Sequence, residues 1–308
     1  MTLLSLISDL CWHSLIFFWV TVVGYFAAAG SLYWALYLRA SSRFRIAAAD
    51  FPFSQRWSTL WSEVRSDIIL SVVSSGIFAA CAALMTTAYT LGYTRLYLVP
   101  QQYGLAYIGI SLGLVLVLQD AYFYFTHRLS HHPKCYKWLH QGHHHSKNPT
   151  PWTAFAFDPA EAMIQAIYLM GVVLVVPMHI SVLVAVVMVM TMGALVHHFG
   201  VRLFEDSPLG QWLGSWMVGT THHWLHHRKY TVHYSLYFTF WDRVMGTQHP
   251  NYETVLTPAA KPAAMTSVSF ESVPFEAVPF EKDAAEKDTA DAPDSKTIPF
   301  PTPFKKAS

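Results

Sequence analysis

Charge is what this chain lacks most. Only 13% of its 308 residues are Asp, Glu, Lys or Arg, against roughly a quarter in an ordinary soluble domain. The formal net charge is +1 and no basic stripe occurs, which argues against a nucleic-acid-binding surface. Cysteine is scarce too: Cys11, Cys81 and Cys135 form no CxxC pair, and two of them lie in apolar segments, so no disulfide framework is expected. The opening M-T-L-L-S-L-I-S-D-L-C-W-H has no basic n-region and no clear small-residue cleavage site. It is expected to belong to an uncleaved first span rather than a signal peptide.

Hydrophobic residues fill the space instead, at 53% of the chain with 15% aromatic. They form long apolar stretches separated by short basic or histidine-rich ones, the organisation of a membrane protein. Trp12 to Leu38 carries no charge and exceeds the roughly 20 residues that cross about 30 Å of hydrocarbon. Arg39, Arg43, Arg45, Arg56 and Arg65 follow, and their excess marks a cytosolic face. Ile68 to Leu91 is expected to be the second span, Gly92 to Gln102 an interfacial turn, and Tyr103 to Phe125 the third span, returning to the arginine side. Ala162 to Val176 and Ser181 to Val196, joined by P-M-H-I, are each slightly short for a span. They are expected to form a helical hairpin entering partway.

The expected fold is an all-α integral membrane protein, with about four transmembrane helices in two hairpins and a cytosolic histidine-rich helical cap holding a di-metal site. Three regions follow: 1–114 as an N-terminal transmembrane region, 115–250 as a catalytic domain, and 251–308 as a disordered cytosolic tail. The tail is rich in Ala, Pro, Asp, Glu and Lys, repeats S-V-P-F-E, A-V-P-F-E at 272–281, and closes on K-K-A-S. It cannot bury enough apolar surface to fold, and its two lysines match a dilysine retrieval signal. The expected location is the endoplasmic reticulum membrane, multi-pass, with a cytosolic C-terminus.

The histidines point to chemistry. Fifteen of the 17 lie between His127 and His233. They include H-R-L-S-H at 127–131, H-Q-G-H-H at 140–144 and H-W-L-H-H at 223–227. On a helix, residues i and i+3 or i+4 share a face, so each cluster can present imidazole to one ion. His127, His131, His140, His143, His144, His223, His226 and His227 are the expected ligands, with His198 the ninth because it follows the hairpin back to the same face. Neutral imidazole suits iron, zinc, copper and nickel. Nine ligands are too many for one ion and enough for two. A structural zinc would use about four, whereas an imidazole-bound metal pair beside a membrane suits dioxygen chemistry at an unreactive C–H bond.

No catalytic side chain is expected beyond the ligands. Asp120 lies seven residues before His127 on the same helical face and is expected to accept a histidine N–H. His197, His222 and His233 are expected to support the ligands from behind. Trp241-Asp242-Arg243 reads as a turn whose Asp and Arg pair. The rival class is a non-catalytic membrane metal-binding or transport protein. A transporter should carry ionisable groups within its spans, and these spans have almost none.

H-R-L-S-H-H-P-x-x-Y-K-W-L-H-Q-G-H-H and T-T-H-H-W-L-H-H, followed by F-T-F-W-D-R-V-M-G-T, resemble the fatty acid hydroxylase / sterol desaturase superfamily over about residues 115–250. The resemblance implies a four-span enzyme of the endoplasmic reticulum with two cytosolic irons and O2 as co-substrate. It implies two electrons from NAD(P)H, delivered by cytochrome b5 and its reductase as separate proteins. It carries over His127, His131, His140, His143, His144, His223, His226 and His227 as ligands and aligns His198 with an isolated family histidine, with His197 as its competitor. The linker P-T-P-W-T-A-F-A-F-D-P-A-E at 149–161 looks closest to the sterol C-5 desaturase branch, which implies a sterol or sterol-like substrate. A sphingoid-base or fatty acyl hydroxylase is the alternative, and hydroxylation and desaturation both remain open. Two departures stand out: Asp158 where the family often has histidine, and V-H-Y-S around His233.

Overall fold

Long apolar runs with few breakers make long helices, and a computed structural model places them in residues 2–39, 53–201 and 207–256, the residues it describes. Helix α1 (Leu3–Tyr33) starts at Thr2, whose hydroxyl accepts the Ser5 N–H, and ends in a π-turn at Trp34–Arg39. Helix α2 covers Phe53–Thr90 and packs along α1. Helix α3 (Leu105–Ser130) carries the first histidine cluster at its C-terminal end. The short α4 (Pro133–Leu139) begins on a proline, whose missing N–H costs nothing in a first turn. Two 3₁₀ turns follow, at His143–His145 and Pro151–Phe155. Then come α5 (Pro159–Val175), α6 (Ile180–His197), α7 (Pro208–Trp216), α8 (Thr220–Lys229), α9 (Phe240–Val244) and α10 (Tyr252–Leu256).

Among the described residues, four stretches are long and apolar enough to cross a membrane: Leu3–Tyr37, Trp61–Thr90, Leu105–Ser130 and Ile180–His197. The α5–α6 hairpin, expected to stop partway, reaches as far as the α2–α3 connection. Arg95 N–H donates to Val173 O at 2.7 Å, and a two-residue parallel pair joins β1 (Leu96–Tyr97) to β2 (Met178–His179). That pairing satisfies backbone groups inside the protein, as non-helical chain at membrane depth requires. Val115, Tyr168, Val172, Met178, Val182 and Val186 pack α3, α5 and α6 together, by van der Waals fit rather than exclusion of water.

At the other end, buried polar residues bind the histidine-bearing linker to α1 and α2. Thr150 and Thr153 form a reciprocal capping box around the 3₁₀ turn. Asp67 in α2 accepts hydrogen bonds from Ser146 (2.7 Å) and Thr153 (2.6 Å). Tyr25 Oη in α1 donates to Trp152 O at 2.9 Å, and Tyr37 Oη to Phe199 O at 3.1 Å.

Only the start of the expected tail lies within the described residues. Residues 252–256 are helical, and Tyr252, Val255 and Leu256 are buried against Trp224 and Leu225 of α8. These apolar side chains cover the back of α8, so ordered chain extends past residue 251. Residues 257–308, with the repeat and the dilysine, lie outside the described residues. The described residues fall in one compact unit.

Candidate metal centre

All nine histidines expected as ligands meet at the end of the helix bundle away from the β1–β2 pair, in two groups. His127, His131, His140, His144 and His226 form one; His143, His198, His223 and His227 form the other. Within each group the nearest ring nitrogens lie within 4.8 Å of one another. The groups adjoin, because His143 and His144 are chain neighbours, as are His226 and His227. The ring centroids of His143 and His227 are 4.7 Å apart, and those of His144 and His227 4.6 Å.

The second and third sequence clusters are each divided between the two groups. Helix α4 ends at Leu139, so His140 caps it and His143–His145 form a separate 3₁₀ turn. That break sends His140 and His144 to the first group and His143 to the second. In α8, His223 and His227 share a face at i,i+4 and enter the second group, while His226 enters the first. Gly142 allows the break: a Cβ there would collide with the Asp158 carboxylate. Asp158 accepts the N–H of Gly142 (2.7 Å) and of His143 (3.3 Å), fixing the turn.

Hydrogen bonding decides which ring nitrogen is free. The Nδ1 atoms of His127, His143, His198, His226 and His227 face the carbonyls of Tyr234, Ala156, Ala194, Val232 and Ser146 at 2.7–3.0 Å. A carbonyl only accepts, so each Nδ1 carries the proton and each Nε2 has a bare lone pair. These Nε2 atoms then face other imidazole nitrogens: His127 to His140 at 3.0 Å, His144 to His226 at 3.0 Å, His198 to His223 at 2.9 Å, and His223 to His227 at 3.1 Å. Burial first, then in most cases neighbouring imidazoles, push His131, His140, His144, His198, His223, His226 and His227 well below the ordinary histidine range. Burial takes His143 down to about 4. These rings are neutral near pH 7. Neutral imidazoles with Nδ1–H anchored and Nε2 lone pairs converging form a donor set that fits two transition-metal ions.

One carboxylate that the sequence reading passed over touches this set. Glu161, in the first turn of α5, has Oε2 2.8 Å from His140 Nδ1, and both residues are almost wholly buried. The contact is off the line of a good hydrogen bond, yet neither atom has another partner among the described residues. The P-A-E of the linker was the available signal. Its partner lies in a different element, so spacing could not reveal it.

Four residues expected to support the ligands sit elsewhere. Asp120 does not orient a histidine: its Oδ1 accepts the N–H of Tyr237 (2.7 Å) and Phe238 (3.3 Å). His197 lies outside both groups, its ring 5.6 Å from that of His223. His222 and His233 also lie outside them, stacked on each other with centroids 3.9 Å apart. His233 is fully used, with Nδ1 on His222 O and Nε2 accepting the His249 N–H, both at 2.9 Å.

Asp242 and Arg243 do not pair. Asp242 accepts from Tyr234 N (2.8 Å), Ser235 N (3.1 Å) and Thr247 Oγ1 (2.7 Å), and lies 3.3 Å from His222 Nε2. Burial opposes its charge, but the His222 contact and the other donors hold it below the ordinary carboxylate range. By fixing the Tyr234 amide, Asp242 also fixes the carbonyl that receives His127 Nδ1. Arg243 turns away to Ser215 O and lies over the Trp216 ring.

Residues 112–247, which contain both groups, match the fatty acid hydroxylase family. This segment is thus similar to the fatty acid hydroxylase / sterol desaturase superfamily. The chain is similar to a Delta(7)-sterol 5(6)-desaturase, ERG3B, of Gibberella zeae, at 33% identity over 168 residues, 53% of this chain and 50% of that protein. It is similar to erg3C of Aspergillus fumigatus, also a Delta(7)-sterol 5(6)-desaturase, at 32% over 182 residues (54% and 57%). Human lathosterol oxidase is 32% identical over 158 residues, 51% of each chain. The chain thus spans about half the length of the curated relatives it matches. No solved structure matches it.

Proposed function

We propose that this protein is a membrane-bound oxidoreductase of the fatty acid hydroxylase / sterol desaturase superfamily that uses O2 and two electrons to hydroxylate or desaturate a lipid, a sterol or sterol-like molecule. The observation that carries the reading is the convergence of nine imidazoles, at least eight of them neutral, into two adjoining groups at one end of a bundle of apolar helices. His127, His131, His140, His144 and His226 would hold one iron, and His143, His198, His223 and His227 the other. Bound there, the pair supplies oxygen-dependent oxidation of unreactive C–H bonds. In balance, a C–H bond, O2, two electrons and two protons give an alcohol and one water. A –CH2–CH2– unit with the same reactants gives an alkene and two waters.

The chain's own residues set the frame for this. Backbone carbonyls hold the Nδ1 protons, so the ligands need little reorganisation. Phe157 stacks parallel to His143 and Phe123 lies against His127, with centroids 5.9 and 4.9 Å apart, giving apolar surface beside each group. The sterol assignment follows the names of the relatives and the linker at 149–161. Cytochrome b5 with its NAD(P)H reductase is the proposed electron source. The endoplasmic reticulum membrane is the proposed location, with the histidine end and the C-terminus cytosolic.

The test is the metal content of detergent-purified protein grown in iron-57, read with Mössbauer spectra, followed by product analysis on Δ7-sterols. About two coupled irons per chain and an oxygen-dependent sterol product are expected. Oxidation of a fatty acyl or sphingoid base instead would move the chain to the alternative branch. One metal or none after iron reconstitution would leave a zinc or non-catalytic role.

A further inference from the structure

Helix α7 is amphipathic in an inverted sense. Its narrow face, Gly210 and Gly214, is buried against α10, where Tyr252 Oη donates to Gly214 O at 3.0 Å and a Cβ on Gly214 would meet Leu256 at 3.3 Å. Its apolar stripe, Leu209, Trp212, Leu213 and Trp216 at i, i+3, i+4 and i+7, points away from the protein, with Trp212 61% and Trp216 58% exposed. In a water-soluble protein that stripe would face the core. Beside it, α9 leaves Phe240 and Val244 exposed as well.

The depth of this surface is fixed by its contacts with α3. The Trp216 carbonyl accepts the Thr239 N–H at 2.9 Å, and the adjacent Tyr237 and Phe238 amides donate to Asp120. Tyr237 Oη donates to Gln119 at 3.0 Å. Asp120 precedes His127 by seven residues, so this level lies about 10 Å nearer the membrane centre than the first histidine, at 1.5 Å per residue. Counted from Leu105, the first residue of α3, about 20 residues of hydrocarbon crossing end near residue 125. Trp241 in α9 packs on Phe125, centroids 5.2 Å apart, and Phe125 is itself exposed on the outer surface of that span. The apolar face is therefore continuous with the lipid-facing side of a transmembrane helix. Tryptophan is the residue enriched at this boundary. Arg243, lying over Trp216 with its head toward Glu253 at 3.7 Å, is placed as a snorkelling side chain.

We propose that α7 and α9 form an in-plane membrane anchor, with Leu209, Trp212, Trp216, Phe240 and Val244 immersed in the bilayer interface. Helices of this kind bury an apolar face about 5–10 Å into the headgroup–acyl boundary. The histidine-bearing segment is then gripped by lipid from its side as well as carried on the ends of the spans. The inference stands on packing and composition, and holds whatever the histidines bind.

The unmodified full-length protein in lipid nanodiscs tests it, because the chain has an internal reference. Trp138 on α4 is 72% exposed beside Lys134 and Lys137, and follows the histidine end of α3. Hydroxyl radicals generated in the water should oxidise Trp138 and spare Trp212 and Trp216. A lipid carrying a carbene precursor on its acyl chain should label the 208–217 and 239–245 peptides and leave 134–140 unlabelled. Oxidation of Trp212 and Trp216 at the rate of Trp138 overturns the proposal. Protection from radicals without any lipid adduct also overturns it, and shows that protein, such as a second copy of the chain, covers this face.

Discussion

The two histidine groups are built from the same side chain and differ in what stands behind it. The group of five has the Glu161 carboxylate against His140, and the tyrosine rings of Tyr136, Tyr230 and Tyr234 around it. In the group of four, the carbonyls of Ala156, Ala194 and Ser146 face the Nδ1 atoms of His143, His198 and His227, Phe157 lies beside His143, and the Asp158 carboxylate meets the His143 backbone rather than a ring. At equal coordination number, a metal held by four imidazoles keeps one more position for a non-protein ligand than one held by five, and an open position distinguishes catalytic from structural sites. A carboxylate behind a histidine makes that histidine a stronger donor. The two proposed metals would therefore be inequivalent: the first would have more ligands and a carboxyl group behind one of them, the second fewer ligands and Phe157 beside it.

The largest expected effect breaks the weaker-backed group. His143→Ala should abolish lipid oxidation while the protein still inserts in the membrane, with product and membrane-fraction yield measured side by side. Retained turnover would remove the second group from the chemistry. A smaller effect should separate the groups. Glu161→Gln should weaken one of the two metals by about 10–100-fold in a chelator competition, leaving the other in place. Equal loss of both metals would erase the inequivalence.

The smallest effect is a pH slope. A buried histidine lowered to about 4, against an ordinary value near 6.5, is neutral in the fold where the unfolded chain is protonated. Between those two values the unfolded state binds more protons, so stability falls as pH falls. Metal-free protein should melt at a lower temperature at pH 5 than at pH 7. A melting temperature independent of pH would place the imidazoles in water rather than in a dry site.

The sequence carried the nine histidines, the apolar helices and the family because these are local signals: spacing, run length and motif. It did not carry the partition into groups, because a helix stop at Leu139 decides it, and that stop works through Gly142 packing on Asp158, 16 residues on. Asp120 shows the limit from the other side. Tyr237, 117 residues later, takes its carboxylate. Glu161 went unread for the same reason, since its His140 partner sits on another element. Residues 252–256 look like tail in composition and are core because α8 has an apolar back to cover.

The β1–β2 pair has a consequence for the bilayer itself. It holds the α5–α6 turn level with the α2–α3 connection, although α5 and α6, with 17 and 18 residues, rise only about 26 and 27 Å, and α3, with 26 residues, about 39 Å. The bundle thus packs short helices against long ones. A membrane around it meets helices of unequal length, and thinning beside the short ones or tilting the long ones costs fractions of a kcal/mol per ångström of mismatch. Bilayer thickness thus becomes a parameter of the site: it sets how far below the headgroups the histidine groups lie, and so how far a lipid must rise to meet them.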